Sequence, residues 1–182
     1  MVQGDLDEQV MICTTSLGYL IPVMKITSHT QAFLNKGVYD MTIPEKLLTL
    51  LEKEKLCFLS TNHQDRPHVS LMNFTYLPEK ELIVLTTRAD TTKMSYMRQN
   101  PYVALLFTHL SSGNRPPVSC TVYGKAHVED PEQDSYYRQA HLQRHPGMEP
   151  FITGKGIAVV TVHIERASIA TIADQVSNWS AE

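Results

Sequence analysis

Cysteine is scarce in this chain. Cys13, Cys57 and Cys120 make an odd number, and no two of them form a CxxC pair. Neither a disulfide framework nor a zinc knuckle is supported, and the three read as buried free thiols in a reducing compartment. Glycine is scarce as well, at 8 of 182 residues, which excludes a collagen-like repeat. Heptads are missing, so a coiled coil is excluded. No apolar run reaches the roughly 20 residues that cross a bilayer. Positive charge is not in excess: 16 Lys and Arg against 19 Asp and Glu leave a formal charge of −3. A general basic field for nucleic acid is therefore absent. The opening MVQGDLDEQV is acidic, whereas a secretory signal starts basic and then turns apolar. These absences point to a cytoplasmic protein with neither nucleic acid nor membrane as partner.

What remains is ordinary globular material. Hydrophobic residues are 42% and charged residues 19%, and 182 residues can bury a core without staples. Two segments differ in texture. Residues 1–40 hold one apolar stretch, SLGYLIPVMKI from Ser16 to Ile26, interrupted by Gly18 and Pro22. It reads either as an arm lying on the body or on a second subunit, or as a tail. Residues 41–182 carry regular patterns. Thr42, Pro44 and Glu45 make a helix start, followed by Leu47, Leu48, Leu50 and Leu51 at helical spacing. CFLST, the alternating HVSLMNFTY and ELIVLTT are strands separated by short polar turns, which predicts an antiparallel meander. RADTTKMSYMRQNP is a helix with Asp90 or Thr91 at its cap, Met94 and Met97 inward, and Asn100-Pro101 as its stop. YVALLFTHL, the loop SSGNRPP, VSCTVYGKAHV, a helix opened by Asp130-Pro131-Glu132, GIAVVTVHI and a shorter ASIATI complete the chain. About six strands and three helices without a βαβ rhythm predict a mainly β (α+β) fold. The expected architecture is an antiparallel barrel with helices at its ends.

Chemistry concentrates in TTRADTTK. Thr86, Thr87, Arg88, Asp90, Thr91, Thr92 and Lys93 stand where a strand passes into a helix. Hydroxyls, free N–H groups, one lysine and the positive end of the helix dipole suit a phosphate. A threonine-rich helix cap with a solvated lysine would look the same locally.

The order of RPHVSLMNF, a turn, ELIVLTT, ADTTK and RQNPYVALLF, with GKA at Gly124 to Ala126, resembles the flavin-binding split barrel of the pyridoxamine 5′-phosphate oxidase family. The likeness spans roughly residues 45 to 165. It implies a homodimeric, six-stranded split β-barrel with flanking helices. FMN would lie between the subunits, and a hydride or electrons would pass between it and a small-molecule substrate. Carried onto this sequence, the cofactor contacts fall on His68, Val69, Ser70 and Leu71 in the second strand. They continue at Thr86 and Thr87, then at Thr92 and Lys93, and Ser119 falls where the second subunit reaches across. Two departures stand out. Thr92 occupies a place where the family often has an arginine, which weakens the grip on phosphate. The ending IADQVSNWSAE lacks the family's Arg-x-His substrate motif, so true pyridoxamine 5′-phosphate oxidase activity is not expected. F420 and haem are the alternative cofactors, and a non-enzymatic flavin- or haem-binding module is the alternative function.

No catalytic residue is assigned. HExxH, His-x-His and GxSxG are all missing. His141 and His145 share a helix face and read as a surface helix end rather than a metal site. Glu129, Asp130, Glu132 and Asp134 read as a solvated helix start. Trp179 is either a cap over a cofactor ring or a docking anchor.

Overall fold

The structure, a computed structural model, describes residues 43–109 and 118–181. The expected arm, Cys13, the Thr42 cap and the SSGNRPP loop lie outside the described residues.

Helix α1 (Glu45–Lys53) buries Leu47, Leu50 and Leu51. It is followed by β1 (Leu56–His63), β2 (Arg66–Leu77) and β3 (Leu82–Arg88). Gln64 and Asp65 join β1 to β2, and both have positive φ, 48° and 58°. That two-residue reversal matches the right-handed twist of the strands it joins. Helix α2 (Thr92–Gln99) buries Met94 and Met97 and ends before Asn100. Then come β4 (Tyr102–Thr108), β5 (Val118–Val128), α3 (Ser135–Arg144), a 3-10 turn (Pro146–Met148), the four-residue α4 (Glu149–Ile152), β6 (Ile157–Thr171) and β7 (Val176–Ser180).

The sheet runs β3-β2-β1-β4-β5-β6-β7, and β3 also pairs with β6. Six strands thus close on themselves as an antiparallel barrel, and β7 continues the sheet beyond β6. Two expectations need correction here. GIAVVTVHI and ASIATI are not separate strands but the single β6 of 15 residues. A seventh strand, β7, arises where the sequence suggested none. The physical reason is a bulge. Tyr123 pairs with Arg166 and Gly124 with Ile164, so Glu165 is the extra residue. β6 turns there without breaking, its first half closing the barrel on β3 and its second half receiving β7. Gly124 is required at this corner, because a Cβ would sit 2.0 Å from the His163 carbonyl oxygen.

Phe74 and Phe107 meet edge to face inside the barrel, with ring centroids 4.9 Å apart. Leu59, Leu85, Leu105 and Val162 fill the space around them. Cys57 and Cys120 are buried free thiols whose pKa values burial pushes up to about 12 and about 11. They are correspondingly inert. Trp179 on β7 packs half-buried against this core. Helix α3 covers the outside of β2, β3 and β6, where Tyr137 and Ala140 lie on Leu77, Val84 and Val159. Among the described residues no helix is long and apolar enough to cross a membrane.

Candidate functional site

A cleft of about 230 Å³ opens where α3 and α4 meet the outer side of β2 and β3. One wall holds Leu71 and Asn73 of β2, with Thr86, Thr87 and Arg88 of β3. The start of α2 adds Thr91 and Lys93. The facing wall is His141 of α3 with Met148, Phe151 and Ile152.

One end of this cleft is cationic. The Lys93 ammonium lies 3.5 Å from Thr87 Oγ1, and burial pulls its pKa below the ordinary lysine value. No carboxylate neutralises it among the described residues. Helix α2 carries no acid in its first turn, and no side chain caps its N–H groups. The Thr91 hydroxyl turns back instead, to the Arg88 carbonyl oxygen at 3.0 Å. A lysine at a helix N-terminus opposes the dipole. Lysine, dipole and uncapped amides together leave a surplus of positive potential. Arg88 is different, because Asp90 takes its guanidinium in two contacts of 3.0 and 2.6 Å.

The facing wall is set by one ion pair. Arg138 binds both oxygens of Asp134, at 2.8 and 2.6 Å. The same guanidinium donates to the carbonyl oxygens of Ile152 and, at 2.8 Å, of Ile157. It therefore staples α3 to the end of α4 and the start of β6. Asp134 is 4% exposed, so the reading of residues 129–134 as wholly solvated is wrong at this position. His141 and His145 correct a second reading. They are 1% and 5% exposed, because this face of α3 points at the sheet. His141 Nδ1 meets Thr75 Oγ1 at 2.8 Å, and His145 Nε2 donates to the Phe74 carbonyl oxygen at 2.8 Å.

The residues singled out from the sequence separate. Leu71, Thr86, Thr87 and Lys93 line the cleft. Thr92 is exposed on the first turn of α2 and does not. In β2, side chains alternate between faces. Val69 and Leu71 point outward, 61% and 57% exposed. His68 and Ser70 point the other way and bond to each other at 3.0 Å, with the His68 ring edge-on to Tyr96. Ser119 lies opposite Thr108, two positions from Thr121, which opposes Leu106. This puts it on the outer face of the sheet and outside the cleft. Part of that outer face is apolar: Leu71, Phe58 and Leu106 stand in one row across β2, β1 and β4. An open groove of about 420 Å³ adjoins it, walled by Tyr102, Tyr123 and Arg166. The Arg166 guanidinium stacks there 3.7 Å from the centre of the Tyr123 ring.

Residues 43–179 match the family model described as Pyridoxamine 5′-phosphate oxidase. The chain belongs to that family. A pyridoxamine 5′-phosphate oxidase homolog of Saccharomyces cerevisiae is 27% identical over 184 residues, covering 72% of this chain and 92% of the yeast protein. Among solved structures, a haem binding protein from Mycobacterium smegmatis superposes with a TM-score of 0.66 at 16% identity, over 75% of this chain and 57% of that one. An FAD-binding protein from Mesorhizobium loti gives a TM-score of 0.58 at 18% identity, over 70% and 94% of the two chains. At these identities the two structures share the fold. The pyridoxamine 5′-phosphate oxidase-like split barrel is thus the architecture of this chain, with the cleft on its outer side.

Residues of the facing wall were not legible as site residues. Phe151 and Met148 carry no motif. They lie beside Ile152, whose carbonyl oxygen Arg138 holds.

Proposed function

We propose that this protein is a flavin-dependent oxidoreductase that holds FMN with the phosphate at Lys93 and Thr87. The observation that carries this reading is the Lys93 ammonium, partly buried beside Thr87 at a helix start without a side-chain cap, with no carboxylate to neutralise it among the described residues. The donor set fits a phosphate monoester: one ammonium, the hydroxyl of Thr87, and backbone N–H groups. The apolar side chains of Leu71, Phe151 and Ile152 suit a flat ring. When bound, the flavin supplies the hydride and electron chemistry. The protein's own residues bind and orient it and exclude water.

The cleft is smaller than the roughly 300–1,000 Å³ that buries a drug-sized ligand. A flavin anchored here would extend over the apolar row of Leu71, Phe58 and Leu106. A second copy of the chain on that face would cover both the row and the ring, so we read the protein as a homodimer with the cofactor at its interface. Purified protein titrated with FMN, with F420 and with haem tests the reading through its absorbance spectrum. Retention of FMN together with NAD(P)H oxidation is the expected result. Binding of haem and not FMN would replace the oxidoreductase with a haem-binding module.

A further inference from the structure

We infer that His141 makes its end of the cleft a pocket for an uncharged hydrogen-bond acceptor, so that the ligand received there carries no phosphate or carboxylate. The inference rests on reading the cleft as the cofactor site, with the ligand at the His141 end being the molecule that reacts with the cofactor.

Three observations carry it. The first is the state of the ring. His141 is 1% exposed yet lines the cleft, and its Nδ1 is taken by Thr75 Oγ1 at 2.8 Å. The Thr75 hydroxyl is itself buried and has no other partner among the described residues. If Nδ1 carried the proton, the Thr75 O–H would be left buried without an acceptor. The satisfied arrangement has Thr75 donating to Nδ1, which puts the ring proton on Nε2. Nε2 has no protein partner among the described residues and is not among the fully buried unpartnered atoms; because His141 lines the cleft, we take its N–H to be offered there. Burial and the neighbouring His145 and Arg144 hold the ring uncharged, with its pKa lowered to about 3.

The second observation is that the nearby guanidiniums are turned to acceptors within the protein, although Arg144 Nε stays buried without a partner among the described residues. The Arg144 guanidinium donates to the carbonyl oxygens of Leu51, Glu52 and Glu54 at 3.3, 2.5 and 2.8 Å. Arg138 is held by Asp134 and the Ile152 and Ile157 carbonyls. Among the described residues that line this end of the cleft, the side-chain N–H donors are neutral: His141 and the Asn73 amide.

The third is distance. Thr75 stands opposite Val84, and Thr87 lies three residues further along β3. At strand rise the two ends of the cleft are about 10 Å apart. The Lys93 end is built for an anion and the His141 end is not.

The test uses FMN-loaded protein with two probes of one skeleton, pyridoxine and pyridoxine 5′-phosphate. Wild type is expected to bind the phosphate ester no more tightly than the alcohol. His141→Arg, which places a cation at this end, should bind the ester about tenfold more tightly than wild type does, with the alcohol unchanged. A wild-type preference for the ester overturns the inference, and so does a His141→Arg variant without that gain. Nitrogen NMR of histidine-labelled wild type gives a second readout that no misfolded variant can obscure. A neutral ring protonated at Nε2 at neutral pH is expected. A charged ring, or a proton on Nδ1, overturns the inference. The cofactor reading is judged separately, by whether Lys93→Ala loses FMN and keeps riboflavin.

Discussion

Arg138 of α3 and Asp134, the residue just before that helix, face each other one turn apart, joined by two contacts of 2.8 and 2.6 Å, and the pair is closed to solvent on the carboxylate side. Its role exceeds the helix. With Asp134 fixing the guanidinium, Arg138 holds the ends of α4 and β6 through two carbonyls. Asp134→Ala leaves a largely buried arginine without its counter-ion. We expect a loss of about 3 kcal/mol of folding stability, measured by denaturant unfolding. Cofactor affinity should fall as well, since Ile152 and Ile157 lose their anchor.

Lys93→Ala separates phosphate from ring. On the proposed reading the ammonium makes a charge-assisted contact, typically worth about 1.5–3 kcal/mol, or about one to two orders of magnitude in affinity. Fluorescence titration should show that loss for FMN and little change for riboflavin. Equal losses for the two would make Lys93 structural.

Stability should fall with acid before most carboxylates titrate. The His141 pKa is lowered to about 3, chiefly by burial, and that of His145 is lowered for the same leading reason. An unfolded histidine has its ordinary value, about 6.5. Between these values the unfolded chain binds more protons, so stability rises with pH through this window and is lost as pH drops below about 6.5. For His141 alone the loss from pH 7.5 to pH 5 is about 2 kcal/mol. Urea midpoints at the two pH values measure it, and His141→Phe should flatten the slope if the variant folds.

The apolar row gives a prediction about assembly. Leu106 and Leu71 are 36% and 57% exposed on the outer face of the barrel, with Phe58 between them. Leu106→Glu should convert the proposed dimer into a folded monomer, read by sedimentation velocity with an unchanged far-UV spectrum. A dimer that survived it would move the interface to another face.

Much of this protein is legible in its sequence because the signals are local. The alternation in HVSLMNFTY assigns Leu71 and Met72 to opposite faces of one strand. The Thr-Thr-Lys run marks the strand-to-helix junction where α2 begins, and the spacing of Met94 and Met97 tells which side of α2 is buried. Period, capping and turn chemistry act over a few residues, so a linear reading recovers them. The family likeness adds the order of the elements, and that order places the barrel.

Tertiary structure decided the rest. His141 and His145 look like a hydrophilic helix end, and only the packing of α3 on β2 makes them a buried pair whose pKa values are lowered. Asp134 looks like one of several surface acids until Arg138 closes over it. Met148 and Phe151 join the cleft across some sixty residues of chain from Thr87. β6 passes unbroken through its bulge because Gly124 lets the His163 carbonyl approach, a contact that no pattern in either segment announces. In each case the deciding term is desolvation or close contact between segments far apart in sequence. Such terms depend on which surfaces meet, and that is set when the barrel closes through β3 and β6.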